Sequence, residues 1–341
     1  MDESISNIIN GISSTSRSIV SNASKLKKNF IFSPISLHEL LGLMAHDPGV
    51  KQEAFTRTSI LSDIDDVVMY YKDVLNWINS TGNETLSIKN KAFPAETFEF
   101  RELFRRLLVK NYLFELNPAD SSGDLLVNKI NTWVEETTNK KIANFIEANT
   151  LENSLRLALL NDVNFDGKWA EPFNSAKTAP GTFYLNDNET VQVEMMKTKR
   201  EVYYKYLEYN NVQILQLPFV NDDISLFAVL QDKNVDVTEG AGWDNFFYYL
   251  DDLEKEEVNI SLPKFKIEVA DDYMNILKEM GLKEELENSN LFGVFNNDEW
   301  LNFSRIYEKG FIDINEEGSQ IASGTIFTFV PSNADEKCII P

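Results

Sequence analysis

Cysteine and histidine are almost missing from this chain, which holds one cysteine, Cys338, and two histidines, His38 and His46. A lone cysteine excludes an intramolecular disulfide, and no neighbouring histidine is placed to activate its thiol. Cys338 reads as an inert loop thiol, with an intermolecular bond as the alternative. Zinc sites need three or four ligands. Two histidines eight positions apart are offset by roughly 80° around an ideal helix. Neither a metal nor a cofactor is expected. The chain also lacks G-x-S-x-G, G-x-G-x-x-G, a Walker A loop and H-E-x-x-H, so no enzyme class is proposed by its motifs. Basic side chains are scarce, 32 against 54 acidic ones, for a net charge of −22. Phosphate binding needs concentrated lysine and arginine, so nucleic acid is excluded as a partner and anionic membrane surfaces are disfavoured. No stretch approaches the roughly 18 apolar residues of a membrane helix. The N-terminus has neither the basic start nor the apolar core of a signal peptide.

What is present suits a large core. Of 341 residues, 43% are apolar and 12% aromatic, and a chain of this size can bury about three quarters of its unfolded surface. Length allows one large domain or two. Without low-complexity tracts, internal repeats or Pro/Gly-rich linkers, one domain over 1–341 is the simpler organisation. Helical spacing of apolar residues marks 2–24, 34–44, 64–78, 97–109, 123–140 and 271–280. In the first of these, Ile5, Ile8, Ile9, Ile12 and Ile19 recur at helical intervals. Strand patterns mark 86–93, 156–165, 212–218, 224–231, 257–268 and 303–315. Helices dominate the first half and strands the second, which predicts an α+β fold with large antiparallel sheets. Six N-x-[ST] sequons, at Asn22, Asn79, Asn83, Asn188, Asn259 and Asn302, suit an extracellular glycoprotein with its leader removed. A chain rich in Asn, Ser and Thr also gathers such triplets by chance. The extracellular location is slightly favoured and the cytoplasmic one stays open.

Five segments are more specific. Asn29–Leu37 reads NFIFSPISL, with Pro34 in a first helical turn, where its missing N–H costs nothing, and Ser33 as a natural N-cap. Leu160–Trp169 reads LNDVNFDGKW and is followed by Pro172 and Phe173. Val193–Met196 reads VEMM, and Leu262–Ile267 reads LPKFKI ahead of a helix ending Met280, Gly281 and Leu282. Phe311–Ser319 reads FIDINEEGS. In this order, spread over about 290 residues, the segments resemble motifs of the serpin family.

That resemblance implies a single domain of three β-sheets and about eight to nine helices. It also implies an endopeptidase inhibitor with no catalytic groups of its own. The target attacks an exposed loop and forms its acyl-enzyme; the cut loop then inserts as a strand into the central sheet, and the protease is distorted before hydrolysis completes. The hinge and reactive loop would span 316–341. Serpins continue for roughly 35 residues beyond the last residue here, so the resemblance is to a truncated or cleaved chain lacking its last strands. It implies a monomer, with a C-terminal fragment if cleaved. Ser33, Ser36 and Asn161 match the residues that latch the central sheet, and Trp169 matches the turn at its top. Two positions depart from the family pattern: Asp166 replaces a lysine, and Glu308 replaces the latch histidine. A buried carboxylate at 308 needs hydrogen-bond donors or titrates upward, so an altered, pH-sensitive latch is expected.

The segment after Glu316, Glu317 and Gly318 carries no charge from Ser319 to Ala334 and no proline before Pro331. A central strand must donate and accept at every rung and cannot bury charge cheaply, so this composition permits insertion. Alternation puts Ser319, Ile321, Ser323, Thr325, Phe327 and Phe329 on one face. The usual family interval from Glu316 places the scissile bond near Ser332–Asn333. Without lysine or arginine there, Val330, Pro331 and Ser332 suit an elastase-like target. Phe329 or Val330 suits a chymotrypsin-like or papain-like protease. Ile321, Ser323 and Gly324 replace the family's usual run of alanines, which leaves a non-inhibitory carrier, chaperone or storage role as an alternative. Asp63, Asp65, Asp66 and Asp73 against Lys72 give no support for a heparin-type cofactor.

Overall fold

The computed structural model describes residues 3–24, 28–57, 64–80, 85–119, 123–152, 154–185, 189–208, 211–221, 223–231, 249–250, 252–288, 291–297 and 299–332. Asn333 and Cys338 lie outside them. Strand β1 (Leu86–Pro94), β2 (Glu115–Leu116), β3 (Leu157–Lys168), β9 (Phe265–Asp272), β10 (Leu301–Ile314) and β11 (Gly318–Pro331) form one sheet, in the order β2-β1-β3-β11-β10-β9. Every neighbouring pair in it is antiparallel except β1 with β2. The second sheet contains β4 (Ala179–Tyr184), β5 (Thr190–Leu207), β6 (Val212–Pro218), β7 (Ser225–Gln231) and β8 (Glu254–Pro263).

Helices cover the first sheet on both faces. Helix α2 (Pro34–Met44) starts as its sequence dictates: Ser33 caps it by accepting from Ser36 N, and Pro34 opens the first turn. It is buried along nearly its whole length, as a helix apolar on most sides must be. With α1 (Glu3–Ser24), α3 (Gln52–Arg57), α4 (Ile64–Ser80) and α5 (Glu102–Arg106) it builds a core that includes Ile8, Leu40, Leu41, Phe55, Tyr71, Phe104, Phe327 and Phe329. On the opposite face α6 (Gly123–Thr137) packs Ile130 and Val134 with Phe145, Ala322 and Ile326. A third cluster, including Phe165, Trp169, Met196, Phe219 and Ile314, joins the upper end of this sheet to the second one.

The α+β class matches the sequence expectation, with seven helical runs among the described residues. Two sheets stand where three were expected. Strand β5 is continuous, pairing with β4 at its start, β8 along its middle and β6 at its end, so it merges what would otherwise be separate sheets. The strand expected at 257–268 is two strands. The chain leaves one sheet at Pro263 and joins the other at Phe265, with Lys264 N donating to Glu194 O across 2.8 Å. The helix expected from 97 starts at Glu102, because Phe98 and Phe100 pack on the Phe295 ring at 5.0 and 5.2 Å and Arg101 N bonds Val294 O. The helix expected at 271–280 begins later because β9 runs on to Asp272.

Candidate functional site

The tight turn from β10 into β11 is made by Asn315, whose side-chain oxygen accepts from Glu317 N at 3.0 Å and Gly318 N at 3.3 Å. This is an Asx-type turn, the local geometry asparagine favours. Glu316 is held by Thr178 Oγ1 and Lys264 Nζ, each at 2.9 Å, and the Lys264 ammonium keeps its carboxyl below the usual range. Trp169 closes the other side. Its Nε1 donates to Asn315 O at 2.9 Å, its backbone N donates to Glu317 O, and its ring stacks on Phe219 at 4.7 Å. Gly318 has a steric reason to be glycine: a Cβ there would meet Gly167 O at 2.0 Å.

From this turn β11 runs down the middle of the sheet. Gly318 to Phe329 pair with β3, and Ser319 to Pro331 pair with β10. Both of its edges are therefore occupied along most of its length. Alternation anticipated one packed face, the side with Ser319, Ile321, Ser323, Thr325, Phe327 and Phe329. The opposite face is packed as well, because Ala322, Gly324, Ile326 and Thr328 lie buried on the α6 side. Gly324 sits under Phe145 and Val134, and a Cβ would stand 3.0 Å from Phe145 Cε2. Gln320 Nε2 donates to Asp166 Oδ2 at 2.9 Å, so this departure from the family pattern contacts β11. Val330, Pro331 and Ser332 are half-buried at the lower end, where Ser332 N donates to Trp300 O at 2.7 Å. Fourteen residues of strand put that end about 45 Å from the Asn315 turn.

One polar rung crosses the sheet: Asn90 on β1, Asn161 on β3, Thr325 on β11, Glu308 on β10 and Asp271 on β9. Glu308 is 1% exposed. Its Oε1 accepts from Ser33 N at 2.5 Å and from Ser323 Oγ at 2.6 Å. Burial pushes its carboxyl up to about 8 despite these donors. Ser36 Oγ donates to Ser33 Oγ at 2.7 Å and completes the α2 cap. Ser33, Ser36 and Glu308 thus converge. Asn161 is not bonded to Glu308, since Thr325 of β11 stands between them in the rung. Its amide instead donates to Asn90 Oδ1 at 2.8 Å and to Glu39 Oε2 at 2.9 Å.

Glu39 and Asn90 escaped the sequence reading. Glu39 is fully buried on α2, and burial pushes it up to about 8, tempered by the Asn90 amide. The available signal was a lone acid in PISLHELLGLM, and its donors are one asparagine on each of two neighbouring strands, Asn90 on β1 and Asn161 on β3. His38, its neighbour, hydrogen-bonds Tyr71 through Nδ1 at 2.8 Å inside the same core.

Comparison with known proteins gives one family throughout. The family model for Serpin (serine protease inhibitor) matches residues 13–339. Serpin B6 of Pongo abelii is 30% identical over 313 residues, covering 87% of this chain and 82% of that protein. Leukocyte elastase inhibitor of Xenopus laevis is 29% identical over 311 residues, with the same coverage of 87% and 82%. Among solved structures, "Cleaved Serpin 42Da" superposes with a TM-score of 0.88 at 26% identity, covering 96% of this chain and 91% of that one. The family acts by inhibiting proteases and not as enzymes. On its motifs, its fold and this match across nearly its whole length, the chain belongs to the serpin family.

Proposed function

We propose that this chain is an endopeptidase inhibitor whose segment 316–332 is the bait, and that cutting near Ser332–Asn333 lets the segment enter the central sheet. The observation that carries this reading is the position of β11, paired on one edge to β3 and on the other to β10. Its composition meets the demands of that position. Buried charge is absent, and the one proline sits at the last rung, where a missing N–H is tolerated. The proposed hinge residues Glu316, Glu317, Gly318 and Ser319 lie at the Trp169 end. The proposed specificity residues Phe329, Val330 and Pro331 lie at the far end.

The non-inhibitory alternative rested on Ile321, Ser323 and Gly324. Each has a place in the inserted strand: Ile321 packs toward the upper cluster, Ser323 bonds Glu308, and Gly324 makes room for Phe145. Ser332 as the residue before the cut suits an elastase-like pocket for small side chains, and Phe329 and Val330 suit chymotrypsin-like or papain-like ones. The deciding experiment titrates the full chain against one protease of each type, with mass spectrometry of the cut and electrophoresis for covalent adducts. An adduct with a cut between 328 and 334 is expected. Clean turnover by all three proteases, with no adduct, would return the chain to the non-inhibitory class.

A further inference from the structure

Three buried polar atoms in one rung of the sheet lack a hydrogen-bond partner: Glu308 Oε2, Thr325 Oγ1 and Asn161 Oδ1. The register lines them up across β10, β11 and β3, with Asn161 opposite Thr325 and Thr325 opposite Glu308. None of the three residues is more than 1% exposed. The inventory of donors explains why this row cannot close as it stands. An ionised carboxylate only accepts, an amide oxygen only accepts, and the single hydroxyl between them has one proton to give. One acceptor must stay bare in a dry interior, which is costly. A single added proton completes the row. Glu308 Oε2–H then donates to Thr325, and Thr325 donates to Asn161, while Oε1 goes on accepting from Ser33 and Ser323.

We infer that seating β11 in the sheet draws one proton from solvent onto Glu308, so that the inserted strand is locked by acid and loosened by base. The inference rests on the insertion reading above. The groups facing Glu308 leave it no other neutraliser. On β9, Asp271 is next in the rung and repels a negative charge, and its own partner is Lys28. Tyr273, just past β9, gives its hydroxyl to Ile31 O. From α2 and its cap come Ser33 and Ser36 and then Glu39, which Asn90 and Asn161 already serve. On β10, Lys309 turns to the other face and donates to Ala143 O and Asn144 O. Among the described residues Glu308 makes no ion pair. Burial raises its pKa to about 8, in the same direction as the proton count. With β11 out of the sheet the Thr325 position of the rung is open and water can donate to the ionised form, while the Asn161 amide stays committed to Asn90 and Glu39.

The test cuts the full chain once with elastase in weakly buffered solution between pH 6 and 8, and compares wild type with Glu308→Gln. Hydrolysis itself exchanges protons equally in both, so the difference isolates the rung. Wild type should take up about one proton more per molecule cut. The thermal stability gained on cutting should shrink as pH rises through this window, and shrink less in Glu308→Gln. Equal uptake in the two proteins overturns the inference and leaves insertion standing. No stability gain at any pH in either protein overturns insertion and the inference together. Should Glu308→Gln fail to fold, Ser323→Ala decides: it removes a donor that serves the charged form, so the midpoint of the pH dependence must rise. An unmoved midpoint overturns the inference.

Discussion

Glu39 stands in an apolar helix, makes no ion pair among the described residues, and accepts from the Asn90 and Asn161 amides. Its raised pKa has a definite consequence for stability. The folded chain keeps the proton up to about 8, whereas an unfolded glutamate releases it near 4.3. Between those values the folded state binds more protons, so stability is fullest below the lower one and falls as pH climbs to the upper. Asp162, raised by burial to about 7, acts in the same direction. Urea midpoints should therefore be higher at pH 5.5 than at pH 8.5, and Glu39→Gln should flatten the slope by up to roughly 1.4 kcal/mol per pH unit. An unchanged slope would mean that Glu39 is not the proton carrier. Trp169 acts through packing. Trp169→Ala removes a ring stacked on Phe219 and orphans Asn315 O, so denaturant unfolding should show a loss of about 3–5 kcal/mol.

At the scale of elements, β11 concentrates the constraints. Gly318→Ala would drive a methyl group into a backbone carbonyl, and Gly324→Val would overfill the space beneath Phe145, each costing about 1–3 kcal/mol in the inserted form. Both substitutions should leave the uncut chain's thermal midpoint within a degree or two of wild type while lowering that of the cut chain. A shift equal in both forms would place these residues outside the strand's packing. Much of this element was legible beforehand: its missing charge, its late proline and the turn residues before it all follow from what a central rung demands. Its second buried face was not, because period-two alternation reports one face and Ala322 and Gly324 look merely small. The N-cap at Ser33 and the start of α2 were equally legible, since capping is local chemistry. Strand β5 was not. Half of its side chains are exposed and few are buried, so its identity comes from the partners on both edges and not from an apolar period. The division at Lys264 was hidden for a similar reason: the chain changes sheets there without any break in its pattern.

At the scale of the whole molecule, a net charge of −22 repels itself in the compact state. Raising ionic strength from about 0.01 to 0.15 M shortens the screening length from roughly 30 to 8 Å. The thermal midpoint of the uncut chain should rise over that range; a fall would show that attractive pairs such as Arg156–Glu299 outweigh the repulsion. Motif order made the overall architecture readable from sequence. The resemblance named Ser33, Ser36, Asn161 and Glu308 as a latch, but the partners Glu39 and Asn90 and the separation of Asn161 from Glu308 needed coordinates, because Ser33 and Glu308 meet from 275 positions apart.

Among the described residues strand β11 is what joins β3 to β10, with a ladder of hydrogen bonds on either side. Pulling it out would require both ladders to open together and two hydrophobic faces to be wetted at the same moment, so the seated strand is held by a high unfolding barrier. Under the proposed reading each copy is consumed by its first encounter. Protection in any compartment is then set by how many fresh copies are supplied, never by how fast a spent one recovers.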